Sequence, residues 1–213
     1  MEEPIATPLP DPVVLRSAAE LGLQKLIEGN QRFMLGEARF PTVCKDTLAN
    51  LAKEQKPFAT ILGCSDSRVP PELIFDADFG ELFIVRVAGN VISPEVMGSL
   101  QYAGAHLRTP LFVVLGHDGC GAVKAALQYK LDGVQLRSRI QMLVDGILPG
   151  LCDLGQDVSN SESLGAAIEA NVRWSMRQIL ESPEGQNAIK AGAKLVGAVY
   201  EIVNGHVRFL ISP

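Results

Sequence analysis

Apolar residues along the chain follow the pattern of an alternating strand and helix protein. Nearly continuous apolar runs at 58–63, 82–87 and 111–115 are typical of strands buried on both faces of a parallel sheet. The segment 93–107 and the one that begins after Gly121 can serve as crossover helices between and after these strands. The pattern therefore predicts an open α/β sheet.

A long helix is predicted near the N-terminus. Asp11 is a good N-cap, Pro12 suits the first helical position, and apolar residues follow at three- and four-residue spacing until Gly36 ends the pattern. Four prolines lie within the first twelve residues and indicate an extended arm. We therefore expect an arm over 1–12 and one domain over 13–213.

A second long amphipathic helix is predicted over 160–181. It begins at a capping box formed by Ser159 and Glu162, and its apolar face ends at Pro183. Together with the helix at 12–35, it offers more apolar surface than a small sheet needs. We take this surplus as an indication of burial against another subunit.

The C-terminal residues predict a further strand pair. Strand-like runs at 194–203 and 206–211 are joined around Asn204 and Gly205, which is the strongest signal for a two-residue hairpin. The expected fold is α/β: a mainly parallel central sheet of about four strands plus an edge strand, flanked by helices, with an N-terminal helical arm.

Composition and charge narrow the class of protein. Of the 213 residues, 47% are hydrophobic and 20% are charged, which is enough apolar material for one globular core. A net charge of −5 and the lack of a basic run argue against nucleic acid and anionic membranes as partners. No apolar run is long enough to span a bilayer. The cytoplasm is the expected compartment, and export stays open if a signal has been removed from this sequence.

The residues best suited to bind a metal or to transfer a proton lie in two segments, 63–68 and 116–121. Each segment begins where a predicted strand ends. Ligand sites of open α/β sheets collect at the carboxyl ends of the strands, so Cys64, His117 and Cys120 are expected to meet there. Two thiolates and one imidazole suit Zn²⁺ and leave the fourth tetrahedral position open. An open position indicates a catalytic site.

Asp66 and Arg68 add an acid to this predicted site. In an extended segment, residues two apart lie on one side, so Arg68 can hold Asp66 ionised and oriented toward the open metal position. Zinc lowers the pKa of bound water from about 15.7 to about 7, which generates hydroxide at neutral pH. The combination favours hydrolysis or hydration chemistry.

These motifs carry a resemblance to a known family. Cys-Ser-Asp-Ser-Arg at 64–68, Gly-His-x-x-Cys-Gly at 116–121 and the segment 80–90 between them closely resemble the β-class carbonic anhydrases. The resemblance is strong over about residues 15 to 130 and looser through the C-terminal strands. It implies reversible hydration of carbon dioxide to bicarbonate and a proton by zinc-bound hydroxide. It also implies one Zn²⁺ per chain on Cys64, His117 and Cys120, with Asp66 and Arg68 as the catalytic dyad.

The resemblance implies further pocket residues. Gln55 corresponds to a glutamine that binds substrate or bicarbonate, Phe83 and Tyr102 correspond to aromatic residues of the pocket, and Gly121 would donate a backbone N–H. In this family the glutamine and the tyrosine reach the site from the partner subunit. A homodimer, sometimes paired into a tetramer, is therefore expected.

One departure from some family members concerns regulation. Those members have an inhibitory bicarbonate site with a tryptophan three residues before the first zinc cysteine, where this chain has Ile61. Arg86 matches that site, although it could instead pair with Asp78 or Glu81, and Tyr200 is a further candidate for it. We therefore expect neither the inhibitory site nor closure of Asp66 onto the metal.

Alternatives stay open at this point. Free cysteines are often plain core residues, and an Asp–Arg pair is often only structural. The same fold and ligands also serve hydrolysis of carbon disulfide or carbonyl sulfide, and a non-catalytic zinc-binding homologue would keep the fold. The glycines at 116, 119 and 121 do not have the spacing of a dinucleotide-binding loop.

Overall fold

The computed structural model describes residues 11–39, 45–133, 139–154 and 161–210. Eight α-helices, two short 3-10 helices (Ala88–Asn90 and Leu148–Leu151) and five strands lie within these ranges. The helices are α1 (Pro12–Leu35), α2 (Lys45–Leu51), α3 (Pro71–Ile74), α4 (Pro94–Ala105), α5 (Gly121–Asp132), α6 (Arg139–Ile147), α7 (Ser161–Glu181) and α8 (Pro183–Lys190). The strands are β1 (Ala59–Gly63), β2 (Leu82–Arg86), β3 (Leu111–His117), β4 (Lys194–Glu201) and β5 (His206–Leu210).

The five strands form one sheet in the order β2-β1-β3-β4-β5. Neighbours among the first four strands are parallel, and β5 lies antiparallel to β4 at the edge. Every residue of β1 and β3 is buried, as expected of central strands covered on both faces. The predicted α/β fold, with four parallel strands and one further edge strand, is confirmed.

Helix α7 covers one face of the sheet through close approaches to two glycines. A Cβ atom at Gly116 would lie 2.6 Å from Val172 Cγ2, and one at Gly197 would lie 2.7 Å from Met176 Sδ. The apolar face of α7 is therefore buried against its own sheet. Among the described residues, the exposed apolar surface expected of these two helices belongs to α1, which presents Val13, Val14, Leu21, Met34 and Leu35 to solvent.

The ends of α1 match the sequence signals. The Asp11 carboxylate accepts a hydrogen bond of 2.8 Å from the Val13 N–H, and Gly36 closes the helix with φ of +70°. Because α1 begins at Pro12, the last residue of the predicted arm is helical, and residues 1–10 lie outside the described ranges. The division into arm and domain stays a prediction. The predicted capping box also lies outside the residues whose side chains are described.

The connection between β4 and β5 differs from the prediction. Glu201 pairs directly with His206, so the loop has four residues rather than two. The Gly205 N–H donates to the Glu201 carbonyl, and the Asn204 side chain accepts from the His206 N–H at 2.9 Å. Asn30 of α1 then donates to the Gly205 carbonyl at 2.8 Å, so tertiary contact with α1 holds the longer loop.

No helix within the described ranges is long and apolar enough to cross a membrane.

Candidate metal centre

The parallel register brings the two predicted motifs together. Gly63, the last residue of β1, is in register with Leu115 of β3, so Cys64 leaves β1 beside the final residues of β3. The ligand atoms of Cys64, His117 and Cys120 lie within 4.8 Å of one another, and all three residues are buried. The structure thus brings together the three residues that the motifs singled out.

The protonation of His117 suits a metal ligand. Its Nδ1 lies 2.9 Å from the Asp118 carbonyl oxygen, and a carbonyl can only accept, so Nδ1 carries the hydrogen. Nε2 is then left with a free lone pair. This buried nitrogen has no hydrogen-bond partner among the described residues. A buried polar atom without a partner needs a physical reason, and a metal ion supplies one.

The thiol groups of Cys64 and Cys120 shift each other's pKa in opposite directions. A hydrogen bond from the Cys120 thiol lowers the pKa of Cys64, against the effect of burial, and N–H groups of Gly89 and Asp66 add to the lowering. The same sulfur–sulfur hydrogen bond and burial raise the pKa of Cys120, although N–H groups at the start of α5 donate to its sulfur. Because metal binding displaces such protons and requires thiolates, the backbone donors around both sulfurs fit a bound cation.

Asp66 lies at the edge of this cluster and is held by Arg68. Arg68 Nε and Nη2 donate to the two carboxylate oxygens at 2.9 and 2.8 Å, and the Arg68 backbone N–H donates at 3.0 Å. These bonds hold the pKa of Asp66 well below its usual range. Asp66 Oδ2 lies 4.0 Å from His117 Nε2, which places an ionised carboxylate next to the atom best suited to bind a metal.

Arg86 has a different partner from the acidic neighbours considered for it. Its Nε donates to the Cys64 carbonyl at 2.8 Å, and its Nη2 donates to the Asp66 carbonyl at 2.5 Å. The alternative that it pairs with Asp78 or Glu81 is therefore wrong. Arg86 instead fastens the backbone of the segment that carries both a sulfur and the carboxylate.

The other predicted pocket residues are not gathered at this cluster within the chain. Gln55 is exposed between α2 and β1, and Tyr102 is 46% exposed on α4, where its ring lies 6.2 Å from that of Phe83. Phe83 is in register with Thr60, four residues before Cys64 and therefore about 13 Å along the strand. Gly121 is the exception: it begins α5 directly after Cys120, and open space faces its Cα.

Sequence reasoning missed the N–H donor that faces Cys64. The Gly89 N–H lies 3.4 Å from Cys64 Sγ, although the two residues are 25 positions apart. The available signal was the glycine itself in the segment 80–90, since its φ of +70° is a conformation that favours glycine. A side chain of α7 holds this glycine in place, and the motifs gave no indication of that contact.

The opposite end of the sheet contains an apolar cavity of about 250 Å³. Phe112 and Leu195, near the starts of β3 and β4, line it together with Leu15 and Ile179. It lies far from the sulfur and imidazole atoms, and no metal-binding group of residues was found there in the described part of the chain. The cavity therefore takes no part in the candidate centre.

The family described as carbonic anhydrase matches residues 59–207. Carbonic anhydrase 2 of Mycobacterium tuberculosis is 48% identical over 126 residues, which are 59% of this chain and 61% of that relative's length. The carbonic anhydrase of Mycolicibacterium smegmatis is 36% identical over 183 residues, covering 85% of this chain and 88% of that protein.

The fold is similar to a solved structure of the same class. The β-carbonic anhydrase of Coccomyxa, solved in complex with acetazolamide, superimposes with a TM-score of 0.69 at 27% identity. The match covers 90% of this chain and 87% of that one. Sequence and structure therefore point to the same family.

Proposed function

The chain belongs to the β-carbonic anhydrase family, and from this premise we propose that it catalyses the reversible hydration of carbon dioxide to bicarbonate and a proton. The observation that carries the proposal is the buried group of Cys64, His117 and Cys120, with the unpartnered Nε2 of His117 facing the Asp66 carboxylate. The geometry fits a small ligand that reacts beside a metal.

We propose that Cys64, His117 and Cys120 hold one Zn²⁺ ion per chain. Two thiolates and a neutral imidazole are the donor set that zinc favours, and three protein ligands leave one position for a reactant. When bound, the ion supplies Lewis-acid chemistry that brings the pKa of a coordinated water from about 15.7 to about 7.

Asp66 and Arg68 act on the proton of the reacting water. The Arg68 hydrogen bonds keep Asp66 ionised and fix its orientation, while Oδ2 faces the side of His117 Nε2. At this oxygen the carboxylate accepts a hydrogen bond from the water that attacks carbon dioxide. Because Asp66 is held by Arg68 rather than grouped with the sulfurs and the imidazole, we propose that it does not bind the metal.

Bicarbonate needs hydrogen-bond donors, and a single chain does not bring all of the predicted ones to its own metal site. We propose that Gly121 gives its backbone N–H, since the first N–H groups of a helix have no partner within the helix. Gln55, Phe83 and Tyr102 are assigned to substrate binding, with Gln55 and Tyr102 serving the site of a second copy. The exposure of Gln55 and Tyr102 supports this assignment. The working unit is then a homodimer, and light scattering of the purified protein measures its mass.

We propose the cytoplasm as the compartment, because a reducing environment preserves the thiol groups of Cys64 and Cys120 before metal binds.

The activity is tested by stopped-flow hydration of carbon dioxide on protein of measured zinc content. We expect rapid turnover in the parent, loss of turnover and of zinc in Cys64→Ala, and no change in Cys152→Ala, because the Cys152 thiol is exposed and lies outside the cluster. Zinc-loaded parent without turnover from about pH 6.5 to 9 would contradict the proposal. Parallel assays with carbon disulfide and carbonyl sulfide then distinguish another hydrolase from a non-catalytic protein.

A further inference from the structure

Two polar side chains of α7 are buried against the segment that faces Cys64. Asn171 is 1% exposed and Ser175 is fully buried. They lie four residues apart and therefore on the same face of the helix. Neither belongs to the motifs at 64–68 and 116–121, and the mechanism proposed above does not use them.

Both side chains bind the backbone at Gly89 and Asn90. Asn171 Nδ2 donates to the Gly89 carbonyl at 2.8 Å, and Ser175 Oγ donates to the Asn90 carbonyl at 3.0 Å. The side-chain amide of Asn90 in turn donates to Ser175 Oγ at 3.4 Å. Two consecutive carbonyl groups are thus held by one face of one helix, 82 and 85 residues further along the chain.

The segment that they hold has a left-handed backbone conformation, which glycine adopts readily and which costs free energy at Asn90. Gly89 has φ of +70° and Asn90 has φ of +44°, both in the left-handed region. A Cβ atom at Gly89 would lie 2.8 Å from Ile147 Cδ1 and 3.0 Å from Ala122 Cβ, so a side chain at this position would also be crowded. Residues in such conformations persist when their surroundings fix them. Here the fixing groups are Asn171 and Ser175.

The result of this conformation is the direction of the Gly89 N–H, which points to Cys64 Sγ at 3.4 Å. A hydrogen bond to a thiolate stabilises its charge and fixes its orientation toward a metal. We propose that Asn171 is a positioning residue for the metal centre. Through the Gly89 carbonyl it holds the amide that donates to the Cys64 sulfur, and Ser175 supports the neighbouring peptide. This role rests on the metal site proposed above.

The test is zinc affinity, measured by competition with a chromophoric chelator. Removal of an outer partner of a metal ligand weakens binding roughly 10- to 100-fold. Asn171→Ala leaves the Gly89 N–H in the chain and removes only the side chain that holds it, so we expect a rise in the zinc dissociation constant at the lower end of this range, about tenfold. Ser175→Ala removes only the neighbouring contact and is expected to have a smaller effect in the same direction. The matched control is Ile179→Ala, a buried truncation on the same helix away from residues 88–90, which should keep the parental affinity.

A cobalt-substituted sample gives a second readout, which a merely structural role would not move. A thiolate whose N–H donor is no longer held in place gives up electron density more readily, so the sulfur-to-cobalt absorption of Asn171→Ala should shift to longer wavelength. The control should keep the parental spectrum. Where Asn171→Ala does not fold, Asn171→Leu and Ser175→Ala serve the same test, since leucine is close to asparagine in size and shape but cannot donate a hydrogen bond.

Parental affinity and an unshifted cobalt spectrum in folded Asn171→Ala and Ser175→Ala overturn the inference. An equal loss of affinity in Ile179→Ala also overturns it, because general destabilisation then accounts for the effect. If the parent binds zinc but hydrates no carbon dioxide, the proposed function fails while the affinity comparison still decides the role of Asn171.

Discussion

Two aspartates of this chain are each held by arginine, with different consequences. Asp66 is bound by Arg68, its neighbour two residues on, and the two side chains are 20% and 54% exposed. Asp76 is bound by Arg32 of α1 and by Arg39, and its side chain is 1% exposed. The same pair of residue types thus occurs once in a short segment at the site and once as a tertiary contact.

The accepting atoms show what separates the two carboxylates. Asp76 Oδ1 accepts from the Arg39 backbone N–H, and Oδ2 accepts from Arg32 Nε and Arg39 Nε. All of these donors attach α1 and the residues after it to Asp76, which follows α3 in the chain. Asp66 instead keeps one side of Oδ2 toward His117 Nε2. A carboxylate with a free acceptor position beside a metal-binding atom can take part in a reaction. A buried carboxylate whose oxygens both already accept hydrogen bonds contributes stability instead.

The largest effect is expected when Asp66 is changed to asparagine. The amide would keep the size of the side chain but lose the charge, so we expect carbon dioxide hydration to fall by about 10² to 10⁴-fold, the usual contribution of a positioned acid or base. Stopped-flow turnover of zinc-matched samples measures this loss. The melting temperature should stay close to the parental one because the Asp66–Arg68 pair is partly exposed. Near-parental turnover in Asp66→Asn would contradict the role of this carboxylate.

For Asp76→Asn we expect the reverse, a loss of stability with unchanged turnover. Asparagine tolerates the left-handed backbone at this position, where φ is +45°, so the substitution removes mainly the charged hydrogen bonds. We expect a loss of about 2 to 3 kcal/mol in the free energy of unfolding, at the level of hydrogen bonds to charged groups because the arginines are partly exposed. Urea denaturation measures it. Turnover of the folded protein should not change, and a selective loss of turnover would remove the distinction between the two aspartates.

The dependence of stability on pH tests the stabilising role of Asp76. Burial alone would raise the pKa of Asp76, but the hydrogen bonds from Arg32 and Arg39 outweigh it and lower the pKa. A carboxyl group with a lowered pKa in the folded state stabilises above its unfolded pKa of about 3.9, and this contribution disappears as pH falls through the folded value.

The measurement is the difference in unfolding free energy between metal-free parent and metal-free Asp76→Asn. We expect this difference to be constant above about pH 5 and to shrink as the pH is lowered below about 4. Use of metal-free protein removes the effect of proton competition at the sulfurs. A difference that grows with acidification would mean that Asp76 is not stabilised as the ionised form.

The smallest effect is expected of Arg68→Lys. Lysine keeps the positive charge but cannot form the two-armed contact with both carboxylate oxygens, so Asp66 should remain ionised and be less well oriented. We expect turnover to fall on the order of tenfold, less than in Asp66→Asn. Matched zinc content in both variants shows that the loss is not one of metal. A loss as large as that of Asp66→Asn would indicate that Arg68 itself touches the reactants.

Much of the site followed from the sequence because its parts are local. The segment 64–68 carries a sulfur, the acid and its arginine, and 116–121 carries the imidazole and the second sulfur. Each segment directly follows a recognisable buried strand, and the carboxyl ends of neighbouring parallel strands meet. The joint position of Cys64, His117 and Cys120 was therefore predictable from the motifs and the strand pattern together. The same local signals predicted both ends of α1.

The sequence predicted less about contacts that depend on which surface of one helix or strand packs against another. The Asn204 and Gly205 signal predicted a two-residue hairpin, but contact with Asn30 of α1 accompanies a four-residue loop. Arg86 could be assigned to an acidic neighbour from its position in the sequence, yet it donates to two carbonyl groups of the segment after β1. A backbone carbonyl has no sequence signature, so such partners cannot be read from residue types.

The α/β alternation, the order of the chemical groups and their place at the strand ends were all encoded in the amino-acid pattern, because hydrophobic periodicity and strand-end position are local properties. The contacts of Asn171 with Gly89 and of Arg32 with Asp76 arise only in the folded chain, across 82 and 44 residues. These contacts depend on how α7 and α1 are placed against the rest of the chain. That placement results from packing the whole core at once, and no spacing within a single segment encodes it.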